Sequence, residues 1–366
     1  MDPHATTAYS IQANGGVQRE FGRGLVLTAD YVMRSYQDVG PLQGVFFLDQ
    51  NRFNRPKVTG VDPTTGVVSF VRDPVIPLCT PEQARALDPA DQCSTGPINV
   101  FASGASYRYD GLHVTLEKRY VDSFQFLIGY ALSRNTGFNQ GGFTSYEDYS
   151  LAYGNLPDHR THRLTVSGVW TAPECAACAP FRRAVAGGWT LSLVSQFLSA
   201  PPLDTILNGL DLDGDGISQT LLPGTTRHNT VGQGLDAAGL RSLVDRYNAV
   251  VAAATHSVVS ADGTVISVPA RTPFNQIISP IVLPSTFSNG DTFSTQDLRV
   301  TKSLVAHKSA RLSVIGEAFN VFNVANLTGY SGVLNQPNYG QPSARVGQVF
   351  GSGGPRAIQL AARLQF

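Results

Sequence analysis

Large apolar side chains recur at every second position along much of this chain. In SFQFLIGYALSRN, Phe124, Phe126, Ile128, Tyr130 and Leu132 alternate with Gln125, Leu127, Gly129, Ala131 and Ser133, so an extended backbone shows one large apolar face and one small or polar face. Leu164, Val166 and Trp170 oppose Arg163, Thr165 and Ser167, and Trp189, Leu191, Leu193 and Phe197 oppose Thr190, Ser192 and Gln196. The same period-2 rule holds for Leu25, Leu27, Ala29, Tyr31 and Met33, for Leu298 and Val300, for Leu312 and Val314, and for Ile358, Leu360, Ala362, Leu364 and the terminal Phe366. The pattern predicts about nine strands, near 7–20, 24–38, 105–120, 123–137, 159–172, 187–200, 293–306, 310–323 and 356–366. Each reaches the roughly 9 to 11 residues that a tilted membrane-crossing strand needs.

The connections alternate in length. Short links fall at Phe21-Gly22-Arg23, at Val121-Asp122, at 173–186 and at Ala306-His307-Lys308, whereas long segments occupy 39–104, 138–158, 201–292 and 324–355. A soluble sandwich has no reason to gather every long loop at one end, but outer-membrane barrels pair short periplasmic turns with long external loops. Tyr120, Phe124, Trp170 and Trp189 stand beside the short links, where an interfacial aromatic girdle would lie; sandwich-core aromatics are the other reading.

One stretch changes period. In GLDAAGLRSLVDRYNAVVAAA, Leu240, Leu243, Val244, Tyr247 and Val251 follow helical spacing behind Asp236 as an N-cap. This predicts a short amphipathic helix inside the longest loop, folded over the external mouth. Its polar face is not rich in Lys or Arg, which argues against a membrane-surface helix.

Composition narrows the class. Twenty-seven basic and 27 acidic residues balance, so the totals do not point to nucleic acid. Charged residues make up only 15% of the chain, and 36 Gly with 22 Pro suit many strands joined by turns and long loops. The longest apolar run, 249–254, is far short of the 18 or so residues of a spanning helix. The N-terminus MDPHATTAYS has neither the basic nor the apolar region of a secretory signal, which leaves a protein that stays inside the cell or the tail of something longer.

Candidate chemistry is sparse. Cys79 with Cys93 and Cys175 with Cys178 form two local pairs, read as structural disulfides or free thiols, because the context for redox or zinc chemistry is missing. NGLDLDGDGISQTLL places Asp211, Asp213 and Asp215 at alternate positions before Gly216, the opening of a calcium loop, but Leu222 stands where a bidentate Glu belongs. A plain Asp-Gly turn is the weightier reading and a weak extracellular calcium site the other. His159 and His162 read as rim residues, not zinc ligands. GSGGPR leads into a strand and so offers no phosphate loop. No nucleophile elbow, His-Glu-x-x-His or Walker loop occurs, and no catalytic residue is assigned. If the apolar parity faces lipid, His113, Glu117, Arg119, Arg299, Arg311, Glu317 and Arg363 point into a lumen, with Lys118 at the periplasmic rim.

YRYDGLHVTLEKRYVDSFQFLIGYALSRN, DHRTHRLTVSGVW, STQDLRVTK, GEAFNVFNVANL and PRAIQLAARLQF together resemble the C-terminal barrel segments of TonB-dependent outer-membrane receptors, most closely the Oar-like branch. The resemblance covers essentially the whole chain. It implies an all-β, antiparallel up-and-down barrel of roughly 22 strands around a plug, of which residues 1–366 would supply fewer than half. It further implies a Gram-negative outer-membrane location, surrounding lipid, energised uptake of an unidentified ligand, a TonB complex engaged through an absent N-terminal part, and Phe366 as the signal read by the barrel-assembly machinery. No signal peptide, TonB box, plug or carboxypeptidase-regulatory-like module is visible, so the expectation is a truncated or split gene product. A structural or adhesive surface barrel, and a soluble secreted β-sandwich, are the alternatives.

Overall fold

A computed structural model describes residues 6–39, 46–49, 56–96 (apart from 75, 87 and 89), 99–138, 149–173, 179–305 (apart from 215 and 261) and 310–366 (apart from 349 and 352). Its frame is one antiparallel sheet of nine long strands in chain order: β1 Tyr9–Glu20, β2 Leu25–Val39, β3 Ala105–Val121, β4 Phe124–Phe138, β5 His162–Thr171, β6 Trp189–Leu198, β7 Phe293–Val305, β8 Arg311–Phe319 and β9 Ala357–Gln365. Among the described residues each pairs only with its neighbours in this order, apart from a short strand, Tyr153–Asn155, added to the outer end of β4. β1 and β9 are not paired, so the sheet is an open wall. The nine strands lie where alternation places them; the largest difference is at β8, which stops at Phe319 because Asn320 turns the chain with a left-handed φ of 46°.

The short links lie together at one end of the wall and the long segments at the other. Asp122 and Ser123 form a two-residue β3–β4 turn in which both residues have positive φ (57° and 66°), the geometry that matches the natural twist of a hairpin. The wider β5–β6 link includes a helical segment, Pro180–Ala186, while Cys175, Cys178 and the Ala306-His307-Lys308 turn lie outside the described residues.

Cross-strand register aligns the apolar parity into continuous rows. Leu27, Leu116, Ile128 and Val166 form one row, and Val114, Tyr130, Leu164 and Phe197 another. Among the described residues no second sheet covers them, since each wall strand touches chiefly the strands it pairs with. Leu112, Leu132, Trp170, Leu191, Leu193 and Val314 are accordingly exposed. A soluble sandwich would have buried this face between layers.

The true hydrophobic core is elsewhere. Leu203, Leu207, Leu222, Val231, Leu240, Tyr247, Ile281, Leu334, Tyr339 and their neighbours in the cluster all come from the β6–β7 and β8–β9 loops. Those loops are thus a folded cap on the long-loop end of the wall. The helix within it, Ala237–Ala254, is longer than the short element anticipated from the sequence, and Pro81–Ala86 adds a further helical segment in the β2–β3 loop.

Candidate functional site: the loop cap and the two faces of the wall

The cap is organised around its helix. Asp236 accepts a hydrogen bond from the Gly239 N–H at 2.7 Å, satisfying a first-turn donor, and Leu240, Leu243, Val244, Tyr247 and Val251 form the buried stripe anticipated from their spacing. The Asn248 side chain accepts from the Ile281 N–H (2.7 Å) and donates to its carbonyl (2.9 Å), holding the Pro-flanked segment 277–284 against the helix. Arg241 stacks over Phe287, 5.1 Å from the ring centre. Burial pushes the Tyr247 phenol above its ordinary range, and the same cause, with the nearby Asp204, raises Tyr339.

Polar groups join the cap to the wall. His228, fully buried, places Nδ1 2.6 Å from Asp204 Oδ2, and Asp204 Oδ1 accepts from the backbone of Thr205 and Asn229. Asn229 and Asn155 exchange side-chain-to-carbonyl bonds of 2.7 and 2.9 Å, tying the cap to the strand extending β4. Gly154 lies so close to the His228 backbone that a β-carbon there would collide with its carbonyl oxygen. His159, 2% exposed, accepts from the Asn135 N–H at 3.1 Å and contacts Gln233 of the cap; burial holds its imidazolium form below the usual range. It is an internal fastener, whereas His162 stays exposed and meets Tyr130 Oη at 2.8 Å.

A cleft of about 560 Å³ opens at this junction, between Leu198 and Phe293 at the outer strand ends and Pro201, Asp204 and Tyr330 of the cap. Burial, with Asp291 as acceptor, pushes the Tyr330 phenol up to about 12. The cleft combines apolar walls with a few fixed polar groups, the general character of a small-molecule site.

Three asparagines at a spacing of three, in FNVFNVANL, close the outer end of the last strands. Asn320, Asn323 and Asn326 all have positive φ. Asn320 bonds Val324 and the Gly354 carbonyl, Asn323 accepts from the Arg356 N–H, and Asn326 bonds Ser294 and the Gly353 carbonyl. Gly353, Gly354 and Arg356 of GSGGPR are accordingly fastened to the turn after β8 and, through Asn326, to β7. Within the β2–β3 loop, Cys79 and Cys93 form a disulfide.

The first carboxylate of the acidic loop is turned inward. Asp211 is 1% exposed, and its two carboxylate oxygens accept from the Gly214 and Gly216 N–H groups at 2.7 and 2.8 Å. Asp213, two residues on, is exposed, Asp215 is outside the described residues, and Leu222 belongs to the cap core. Among the described residues no group of three or more His, Cys, Asp or Glu is arranged to hold a metal.

The wall has two chemically distinct faces. On the apolar side, Phe124 faces Trp170 across β4–β5, and Trp189 faces Lys302 across β6–β7, with the ammonium 4.8 Å from the indole centre; both pairs are near the short turns. At the opposite limit of this face, Tyr31 Oη donates to Asp110 Oδ1 (2.6 Å), and Arg108 Nε and Nη2 bind the same carboxylate. Phe124 to Arg134 is ten steps along β4, about 33 Å of strand, and at a barrel's tilt about 25 Å along the membrane normal, the height of an outer-membrane apolar band. Lys118 donates to the Val121 carbonyl at the short-turn end, as its rim assignment requires. On the other side Arg299 faces Glu317 at 3.5 Å, and His113, Glu117, Arg119, Arg311 and Arg363 share that parity. Leu127 and Val194 depart from it: both are exposed, on either side of Ser167 and opposite Glu117 and Asp297. Phe366 follows β9 at the short-turn end and is 97% exposed.

A single sheet with an exposed apolar band, aromatic borders and a loop cap defines a membrane β-barrel wall. The chain matches the family model "Outer membrane beta barrel domain" over residues 1–359 and belongs to that family, which places it in the outer membrane. No curated protein matches its sequence. Among solved structures it is similar to FpvA of P. aeruginosa, described in complex with heterologous pyoverdines (9% identity, TM-score 0.40, 97% of this chain and 27% of that one). It is also similar to the outer membrane transporter YddB from Escherichia coli (8% identity, TM-score 0.44, 99% of this chain and 33% of that one). The chain therefore spans a third or less of the length of these structures.

Proposed function

We propose that residues 1–366 are the C-terminal portion of a TonB-dependent receptor barrel, a non-enzymatic wall and cap for energised uptake of a ligand through the outer membrane. The observation that carries this reading is the pairing of a lipid-adapted sheet with outer loops that fold into a cap over a cleft. A wall needing only to anchor the protein has no use for a cap with its own core. The charged side of the sheet is the lumen side in this reading, and Phe366 is the recognition element for barrel assembly. The resemblance of the strand motifs to the Oar-like branch supports the finer assignment.

The test is depletion of medium components by cells carrying or lacking the gene, with the energy-coupling complex intact or deleted. Depletion that needs both the gene and the complex is the expected result. Equal depletion in all strains, with the cap still exposed on the cell surface, would replace uptake by the structural or adhesive role. For Asp211, Asp213 and Asp215 the inward-held first carboxylate supports the turn, with calcium binding no tighter than the millimolar range of weak extracellular modules; calorimetric titration giving heat at micromolar calcium would establish a dedicated site instead.

A further inference from the structure

Two opposite charges with bonding capacity to spare line the cleft at the junction of cap and wall. Leu198 and Phe293 are cross-strand partners on the parity of Arg299, so the cleft meets the wall on its charged side. Its polar lining divides into two sets. Asp204 accepts three hydrogen bonds and Asn326 makes three of its own, so both are committed to holding the fold. Arg160 and Asp291 are not. The Arg160 guanidinium donates to the carbonyl of its own neighbour, His159, at 3.0 Å, and among the described residues it makes no ion pair. Burial holds its protonated form below the usual range, partly offset by Asp158. Asp291, half-buried, accepts from the Tyr330 phenol and has no cationic partner among the described residues.

The spacing of the two groups is set by the wall. Arg160 lies two residues before β5 and Asp291 two residues before β7, with β6 between those strands. Neighbouring strands lie about 4.8 Å apart, which puts the two backbones about 10 Å from each other. Asp291 is also fixed in place: Asn289 donates to the Pro201 carbonyl at 3.3 Å, and Gly290, with a φ of 128°, lies so close to the Pro201 ring that a β-carbon would strike it. A ligand carrying one charge would leave the other group dehydrated and unpaired, which is costly. One carrying both, with an apolar body against Pro157, Pro201 and Phe293, satisfies the lining as a whole. Three residues of extended chain span about 10 Å.

We propose that this cleft binds a short peptide of about three residues, its terminal carboxylate on Arg160 and its terminal ammonium on Asp291. This rests on the reading of the cap as the ligand-facing part of a receptor and adds to it the chemical class of the ligand.

The test is equilibrium dialysis of labelled trialanine, its C-terminal amide, its N-acetyl derivative and free alanine against outer-membrane vesicles containing the assembled protein, with vesicles from a deletion strain as the blank. Saturable binding of trialanine is expected, and each capped derivative should bind about ten- to a hundredfold more weakly, the value of a hydrogen bond to a charged group. Free alanine, too short to reach both groups, should bind more weakly still. In Arg160→Gln the amide should lose its disadvantage and the acetyl derivative keep it; in Asp291→Asn the reverse. If either variant fails to assemble, the capped peptides on the unaltered protein decide alone. No saturable binding, indifference to both caps, sensitivity to the carboxylate cap only, or alanine binding as tightly as trialanine would each overturn the proposal. Binding to vesicles needs no energy coupling, so these outcomes leave the uptake reading to its own test, and depletion independent of the coupling complex would remove uptake while leaving peptide binding in place.

Discussion

Leu240 and Leu191 carry the same side chain and meet opposite surroundings. The first is fully buried beneath the cap helix, whereas the second keeps 38% of its surface exposed in an interior strand of the wall. In the cap, leucine removes apolar surface from water by packing on other residues, as in any soluble domain. In the wall, the sequence supplies only half of the interface and the bilayer supplies the rest. The two regions therefore differ in what substitution should do: volume matters most in the cap, charge most in the wall.

The largest expected effect is in the cap. Leu240→Ala removes a fully buried side chain and should cost about 2 to 5 kcal/mol, read as rapid proteolysis within 201–292 while heat-modifiable migration is retained. If wall and cap were one cooperative unit, both signals would be lost together. Next, Ile128→Arg or Leu164→Arg should cost about 2 to 4 kcal/mol at the bilayer midplane and deplete assembled protein from the outer membrane, while Thr165→Arg, on the opposite parity, is mild. Equal tolerance at the two parities would contradict the assignment of faces.

Smaller changes sharpen the junction. Asp236→Ala removes the helix N-cap, at a cost of about 1 kcal/mol, and should lower the thermal midpoint of the cap alone. His159 connects the wall end to the cap, and its proton affinity is depressed by burial. An unfolded histidine takes up a proton near pH 6.5 and the buried one resists until lower pH, so the unfolded state binds more protons as pH falls through about 6.5. Stability contributed by this site is fully present above that value and declines below it. Loop proteolysis should thus accelerate between pH 7.5 and 5.5, and acceleration of the same size in His159→Gln would show that another group is responsible. The smallest effect is expected for Arg299→Ala, because an exposed pair at 3.5 Å contributes within about 1 kcal/mol; thermal melts should barely move.

The wall was legible in the sequence because period 2 requires no knowledge of distant contacts: Phe124 to Leu132 declares a face by itself. The five buried positions of the cap helix were legible for the same reason at period 3.6. The rest of the cap was not. Leu203, Leu210, Val231, Ile281 and Tyr339 lie in irregular segments whose burial depends on loops far apart in the chain, and nothing local distinguishes them from exposed apolar residues. Asp204 and His228 likewise meet only after folding. One signal was available: a 201–292 segment carrying so many leucines, isoleucines and valines is too apolar for a solvated loop. The asparagines of FNVFNVANL also marked left-handed positions, since Asn tolerates positive φ better than most residues.

The chain-order meander has a consequence for how the molecule comes into being. Every wall strand lies beside its predecessor, so the ladder can grow by successive hairpins, each closing a contact near the one already made. The cap cannot form in this stepwise way: Asn208 must find Asn335, 127 residues away, and Tyr339 must reach Asp204, 135 residues away. Those closures carry a larger entropic cost until β7 and β8 have brought their loops together. Construction from the membrane outward, with the lid completed last, is the order of events that such connectivity favours.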